Sequence, residues 1–292
     1  MWQLPGGRGG AWPRVDSRAT PPEAIVMPFI PVRDLTTYYE IHSDGPRLLY
    51  ITGTGGDLRR KPSVFDGPLP GHFTVLSYDQ RGLGQTSRPE AVYTMADYAD
   101  DAAALLDALG WERCLVMGVS FGGMVAQEFA LRHGARIERL VLACTSAGGA
   151  HASYPLHEFH GMEPAARAAA NLLVSDTRNA AIRDSDPARF QAMVDDAVAL
   201  AAVGANEPGR VEGAGRQLEA RRHHDTYDRL PTLGMPVYIC GGKYDGIAPQ
   251  ANLETLHQRI PNSQLEFFEG GHLFLRQDPA AMEGVIRFLK GT

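Results

Sequence analysis

No stretch of this sequence approaches the roughly 20 consecutive apolar residues that a membrane-spanning helix requires. Residues 1–26 are rich in Gly, Pro and Arg and lack an apolar core segment, so they do not read as a secretory signal. They also lack the amphipathic period of a transit peptide. They are predicted to be a disordered extension, with Met27 as the functional start. Cysteine is scarce: Cys114, Cys144 and Cys240 are the three. None forms a Cys-x-x-Cys pair or other metal spacing, and each lies in or at the end of an apolar run. They are predicted to be buried free thiols, which suits a reducing compartment and a cytoplasmic protein. There is no long basic run, and the net charge is −6, which argues against a nucleic-acid partner.

What remains is ample for a large core. The chain has 292 residues, 44% of them apolar, enough for one domain with an inserted subdomain. Short alternating runs at 29–33 and 37–42 predict a hairpin. Continuous apolar runs at 47–52, 73–78, 114–117, 137–143, 236–241 and 264–268 predict buried strands. Helical spacing comes after several of them, at 94–109, 124–133, 250–260 and 279–289. Such alternation predicts an α/β fold: a mostly parallel sheet with helices on both faces and the hairpin as an antiparallel edge. Between 147 and 229 no convincing strand occurs. That segment is rich in Ala, Arg and His, and Pro164, Pro187 and Pro208 divide it into short helices. The predicted organisation is a core of 27–146 and 230–292 with a helical insertion at 147–229.

The densest chemical signal is Gly118-Val119-Ser120-Phe121-Gly122, which comes after an apolar strand and precedes a helix. A serine at such a sharp turn has its hydroxyl lifted clear of the backbone, and small neighbours are needed where the chain passes close to itself. The helix behind it aims its N-terminal N–H groups at the same point, which favours a nearby anion. Serine needs a base to take its proton, and the base needs an acid to orient it. In a parallel sheet, residues just beyond the strand ends converge on one edge. Beyond 236–241 comes Asp245, and beyond 264–268 comes Gly270-Gly271-His272. The order Ser120, Asp245, His272 fits a strand–turn–helix nucleophile. Asp225 is a rival acid but sits at the end of the helical insertion, and no acid lies in 144–150.

An oxyanion forming on the substrate needs two N–H donors. Phe121, directly after the serine, supplies one. The glycine-rich loop Gly53-Thr54-Gly55-Gly56 supplies the other, with Thr54 first and Gly55 second. That loop lacks the Lys-Ser/Thr ending of a phosphate-binding loop and the G-x-G-x-x-G of a dinucleotide site. No cofactor and no metal are therefore expected. His157 and His160 have metal-pair spacing but no identified third ligand.

These residues, together with Ser77-Tyr78-Asp79-Gln80-Arg81-Gly82, resemble the α/β-hydrolase superfamily over roughly 27–289. The Asp79-Gln80-Arg81-Gly82 turn is similar to the branch of serine esterases, enol-lactonases and haloperoxidase-like enzymes. Thr52-Gly53 stands where that family usually has His-Gly. The resemblance implies eight strands, a helical cap at 147–229, and a bracing role for Asp79 and Arg81. The expected activity is hydrolysis of a small carboxylic ester or lactone through an acyl-enzyme on Ser120. Serine at this position argues against epoxide hydrolase or haloalkane dehalogenase chemistry. Proline iminopeptidase, carbon–carbon bond hydrolase and a slow ligand receptor on the same fold are the alternatives. A homodimer is compatible with the sequence.

Overall fold

The computed structural model describes residues 28–292; the predicted extension at 1–26 lies outside the described residues. The strands are β1 (Phe29–Val32), β2 (Leu35–His42), β3 (Arg47–Ile51), β4 (Thr74–Tyr78), β5 (Cys114–Val119), β6 (Ile137–Ala143), β7 (Val237–Gly242) and β8 (Ser263–Phe268). They form one eight-stranded sheet in the order β1-β2-β4-β3-β5-β6-β7-β8. β1 and β2 run antiparallel, as do β2 and β4, and every later pairing is parallel.

The continuous apolar runs are explained by burial on both faces. Successive strand side chains point to opposite sides. Leu49, Ile51, Leu76, Val116, Leu140, Leu142 and Ile239 belong to one buried cluster. Their neighbours Leu48, Val75, Met117, Val141, Tyr238 and Cys240 belong to the other. The first cluster is closed by α1 (Met95–Ala108), α2 (Phe121–His133) and α7 (Gln250–Arg259). The second is closed by α8 (Phe274–Gln277) and α9 (Pro279–Lys290). Fully burying a side chain such as Phe129 contributes about 1.5–3 kcal/mol. α1 starts where the sequence supplies a cap: Thr94 Oγ1 accepts from the Asp97 N–H, and Asp97 Oδ2 accepts from the Thr94 N–H, both at 3.1 Å.

Between β6 and β7 lie α3 (Pro164–Ser175), α4 (Asn179–Ser185), α5 (Pro187–Ala201) and α6 (Arg210–Arg222). Pro164 and Pro187 open their helices, where a missing N–H costs nothing. The segment leaves and rejoins the sheet at one point. Gly149 N–H donates to His224 O and Thr226 N–H to Ala147 O, each at 2.9 Å. α6 is unusual because Arg210, Gln217 and Arg221 share its buried face with Gly213 and Ala220.

Two details depart from the sequence reading. α2 begins at Phe121 rather than Met124, so no loop separates it from Ser120. The short helix α8, which starts two residues after His272, has no counterpart among the predicted elements. Among the described residues no helix is long and apolar enough to cross a membrane.

Candidate active site

β5 ends at Val119 and α2 begins at Phe121, so Ser120 alone makes the turn, at φ 57° and ψ −117°. A side chain in that region is strained, and the surroundings hold it there. Ser120 N–H donates to Ala143 O at 2.9 Å, and Thr145 Oγ1 donates to Ser120 O at 2.8 Å. The flanking glycines are required by contact. A Cβ on Gly118 would lie 2.2 Å from Gly122 O, and one on Gly122 would lie 2.1 Å from Ile51 O.

The residues predicted from the strand ends meet at this turn. His272 Nε2 lies 2.8 Å from Ser120 Oγ, and His272 Nδ1 lies 2.7 Å from Asp245 Oδ2. The other oxygen of Asp245 accepts from the N–H groups of Ile247 at 2.8 Å and Ala248 at 3.0 Å. Held in this way, Asp245 Oδ2 accepts a hydrogen bond from His272 Nδ1–H, which keeps that proton on Nδ1. Nε2 is then left as an acceptor for the serine O–H. Such a line can draw a proton from Ser120 and stabilise the resulting imidazolium. Asp225, the rival acid, instead accepts from the Tyr227 N–H at 3.2 Å.

A family model described as the alpha/beta hydrolase fold matches residues 46–279. The chain belongs to the α/β-hydrolase family. Its relatives include a poly(3-hydroxyalkanoate) depolymerase from Ectopseudomonas oleovorans, 28% identical, with 83% of this chain and 84% of the relative aligned. A 3-oxoadipate enol-lactonase from Acinetobacter baylyi is 25% identical over 89% of this chain and 97% of the relative. Among solved structures, an enol-lactonase from Burkholderia xenovorans superposes with a TM-score of 0.73 at 26% identity, covering 90% of this chain and all of that one (100%).

Around this hydrolase's serine, the two predicted oxyanion donors differ in their setting. Phe121 is the first residue of α2, so the helix ladder does not use its N–H. The glycine-rich loop passes directly beside Ser120: a Cβ on Gly53 would lie 3.4 Å from Ser120 Cβ and 3.9 Å from Ser120 Oγ. Within that loop Gly56 N–H donates to Gly53 O at 3.2 Å, and Gly55 N–H donates to Gln217 Oε1 at 2.8 Å. Gly55, the second choice from sequence, is therefore engaged, and Thr54 remains the candidate.

Asp79 and Arg81 brace the loops. Asp79 accepts from the Leu58 and Gln85 N–H groups, both at 2.8 Å, and burial pushes its carboxyl up to about 6 against the pull of those donors. Arg81 pairs with Asp101 at 2.8 Å and Asp34 at 2.7 Å.

Sequence reasoning missed three neighbours of the site. Gln217 and Arg60 both hold the Gly55 peptide, Arg60 Nη1 donating to Gly55 O at 2.9 Å. Nothing local in the sequence marks a contact 162 residues apart. The third is Cys144, directly after β6. Its thiol and ligand atoms of Asp245 and His272 all lie within 4.8 Å of one another. Among the described residues this is the one set of three such groups close enough to share an ion, and it does not include His157 or His160. Burial and the Asp245 charge push the Cys144 thiol well above its ordinary range, so it is a neutral neighbour of the imidazole.

Proposed function

We propose that this protein hydrolyses a carboxylic ester or lactone of a small molecule through an acyl-enzyme on Ser120. The observation that carries the reading is the hydrogen-bonded line Ser120 Oγ–His272 Nε2 at 2.8 Å and His272 Nδ1–Asp245 Oδ2 at 2.7 Å. His272 takes the serine proton as Oγ attacks the carbonyl. Asp245 fixes the tautomer and stabilises the imidazolium. The N–H groups of Phe121 and Thr54 hold the oxyanion, aided by the N-terminal end of α2. His272 then protonates the leaving alcohol, and water activated by the same imidazole releases the acid. The segment 147–229 acts as a cap over the substrate. The depolymerase and enol-lactonase relatives support the reaction class.

The test is a panel of p-nitrophenyl esters and lactones of increasing chain length, run on the wild type and on Ser120→Ala. Turnover of an ester or lactone that disappears in the variant supports the reading. Turnover that survives in Ser120→Ala rules the mechanism out. A burst without steady turnover points to a ligand receptor, and cleavage confined to N-terminal proline peptides or carbon–carbon substrates points to the other same-fold chemistries.

A further inference from the structure

Cys144 has no part in the proposed reaction, yet it lies against two groups that have. It comes directly after β6, in a turn at φ 41° that L side chains rarely adopt. Its sulfur and one ligand atom each of Asp245 and His272 lie within 4.8 Å of one another. Asp245 Oδ2 is 2.7 Å from His272 Nδ1, so a cation on that oxygen meets the Nδ1 side of the ring. Asp245 Oδ1 is taken by the Ile247 and Ala248 N–H groups, which keep the loop anchored and leave Oδ2 as the ligand. Among the described residues no Lys or Arg pairs with Asp245; His272 is its one ion-pair partner. The other titratable groups facing the sulfur, Cys240 and Tyr50, are held neutral by burial.

A sulfur, an imidazole nitrogen and a carboxylate oxygen are a donor set for zinc. Magnesium and calcium prefer oxygen alone. Tetrahedral zinc, with bonds of roughly 2.0–2.3 Å, holds two ligand atoms about 3.3–3.6 Å apart. Asp245 Oδ2 and His272 Nδ1 therefore separate by less than about 1 Å, and the sulfur closes by a distance on the order of 1 Å. The charges match as well. A thiolate and a carboxylate together offset the two positive charges of the ion, which deprotonates a thiol that it binds.

We infer that Cys144, Asp245 and His272 form an inhibitory site for zinc. That the ion stops ester turnover rests on the reading of Ser120, His272 and Asp245 above; that it binds does not. On binding, bonds form from zinc to Cys144 Sγ, His272 Nδ1 and Asp245 Oδ2, and the Nδ1–H···Oδ2 hydrogen bond breaks. The Nδ1 proton passes through water to Nε2, the thiol proton leaves to solvent, and no oxidation state changes. Water fills the fourth position. Nε2 then carries a proton and donates to Ser120 Oγ, so it no longer accepts the serine proton. Cys144 and Asp245 are buried and His272 is partly exposed, so the ion enters past the imidazole.

The experiment measures hydrolysis of an activated ester by the wild type, Cys144→Ala and Cys144→Ser. Each protein is preincubated with zinc, magnesium or calcium, and each rate is divided by that protein's own rate in chelator. Zinc is expected to inhibit the wild type reversibly at concentrations where magnesium and calcium do nothing. Losing an outer partner of a metal site costs about 10–100-fold in affinity, so losing the sulfur itself should raise the inhibition constant about hundredfold or more. No inhibition of the wild type overturns the inference. So does equal inhibition of the wild type and the variants, which places the ion elsewhere. Cobalt(II) gives a readout independent of turnover. A sulfur-to-cobalt charge-transfer band in the wild type, absent from Cys144→Ala, is the expected result. No band in the wild type, or a band that persists in Cys144→Ala, overturns the site. Should Cys144→Ala fail to fold, Cys144→Ser takes its place, since a hydroxyl gives no such band. If the wild type hydrolyses no ester, the ester reading fails and the cobalt band alone decides the site.

Discussion

The backbone N–H of His272 donates to the carbonyl of Ser175, 2.5 Å away, so the imidazole is carried on a loop tied to the last residue of α3. The same end of the helix reaches the loop that carries Asp245, where Gly246 N–H donates to Val174 O and Thr177 N–H to Tyr244 O, each at 2.9 Å. The helical stretch between β6 and β7 is therefore hydrogen-bonded to the loops that carry both His272 and Asp245. Gly271 makes the contact feasible: a Cβ there would lie 2.2 Å from Ser175 O.

Gly271→Ala is expected to push the base loop off α3. Overpacking of this kind costs about 1–3 kcal/mol, while a misplacement near 1 Å costs about a hundredfold in rate. Ester kcat measured beside a thermal melt checks this. A variant that melts a few degrees lower but turns over at the wild-type rate shows that the tie does not position the base.

Asp245→Asn is expected to lower kcat by about 10⁴-fold, because an amide no longer enforces the tautomer that leaves Nε2 free to accept. Asn keeps one acceptor for the Ile247 and Ala248 N–H groups, so the fold survives. Steady-state kinetics with an activated ester, alongside circular dichroism, gives the answer. A loss of less than tenfold in a folded variant assigns the acid role elsewhere.

His224 is fully buried, its Nε2 donating to Ser146 O at 3.2 Å, and burial pulls its pKa down to about 4 from 6.5. Between those values the unfolded chain binds a proton that the folded chain refuses. Stability is therefore intact above pH 6.5 and falls as the pH drops toward 4, by up to about 3 kcal/mol. His224→Gln keeps a donor and cannot titrate, so its urea stability should fall less between pH 7.5 and 4.5. Equal losses in both proteins would remove His224 as the cause.

Cys114, Cys144 and Cys240 are buried free thiols, and burial raises all three, Cys114 to about 12. A thiol reagent should find almost no reactive cysteine in the native protein and three after denaturation. Fast labelling of a native thiol would contradict their placement.

Much of this architecture is written locally. The strands at 47–51, 114–119 and 137–143 are continuous apolar runs because both sheet faces are covered, and a sheet of that kind brings strand ends to one edge. Asp245 and His272 are legible because each lies in the loop just past the carboxyl end of a strand. The helix start at Phe121 is harder to read, since Gly122 and Gly123 look like helix breakers and serve here to let α2 approach Ile51 and Thr145. The polar face of α6 is illegible for another reason. Arg210, Gln217 and Arg221 at helical spacing read as a solvated stripe, whereas the packing of Gly213 on Gly82 and the contacts of Gln217 with Gly55 and of Arg221 with Ser153 turn that stripe inward. Cys144 reads in the sequence as a buried thiol and not as a neighbour of His272. The positive φ of 41° that places it belongs to the turn and leaves no mark in composition.

The most direct measurement is the intact mass of the enzyme, acid-quenched during turnover of an activated ester, with peptide mapping of the adduct. A single acyl adduct on Ser120, formed at the burst rate and absent from Ser120→Ala, is the predicted result. Steady turnover with no acyl adduct at Ser120, or an adduct that maps to another residue and persists in Ser120→Ala, would contradict it.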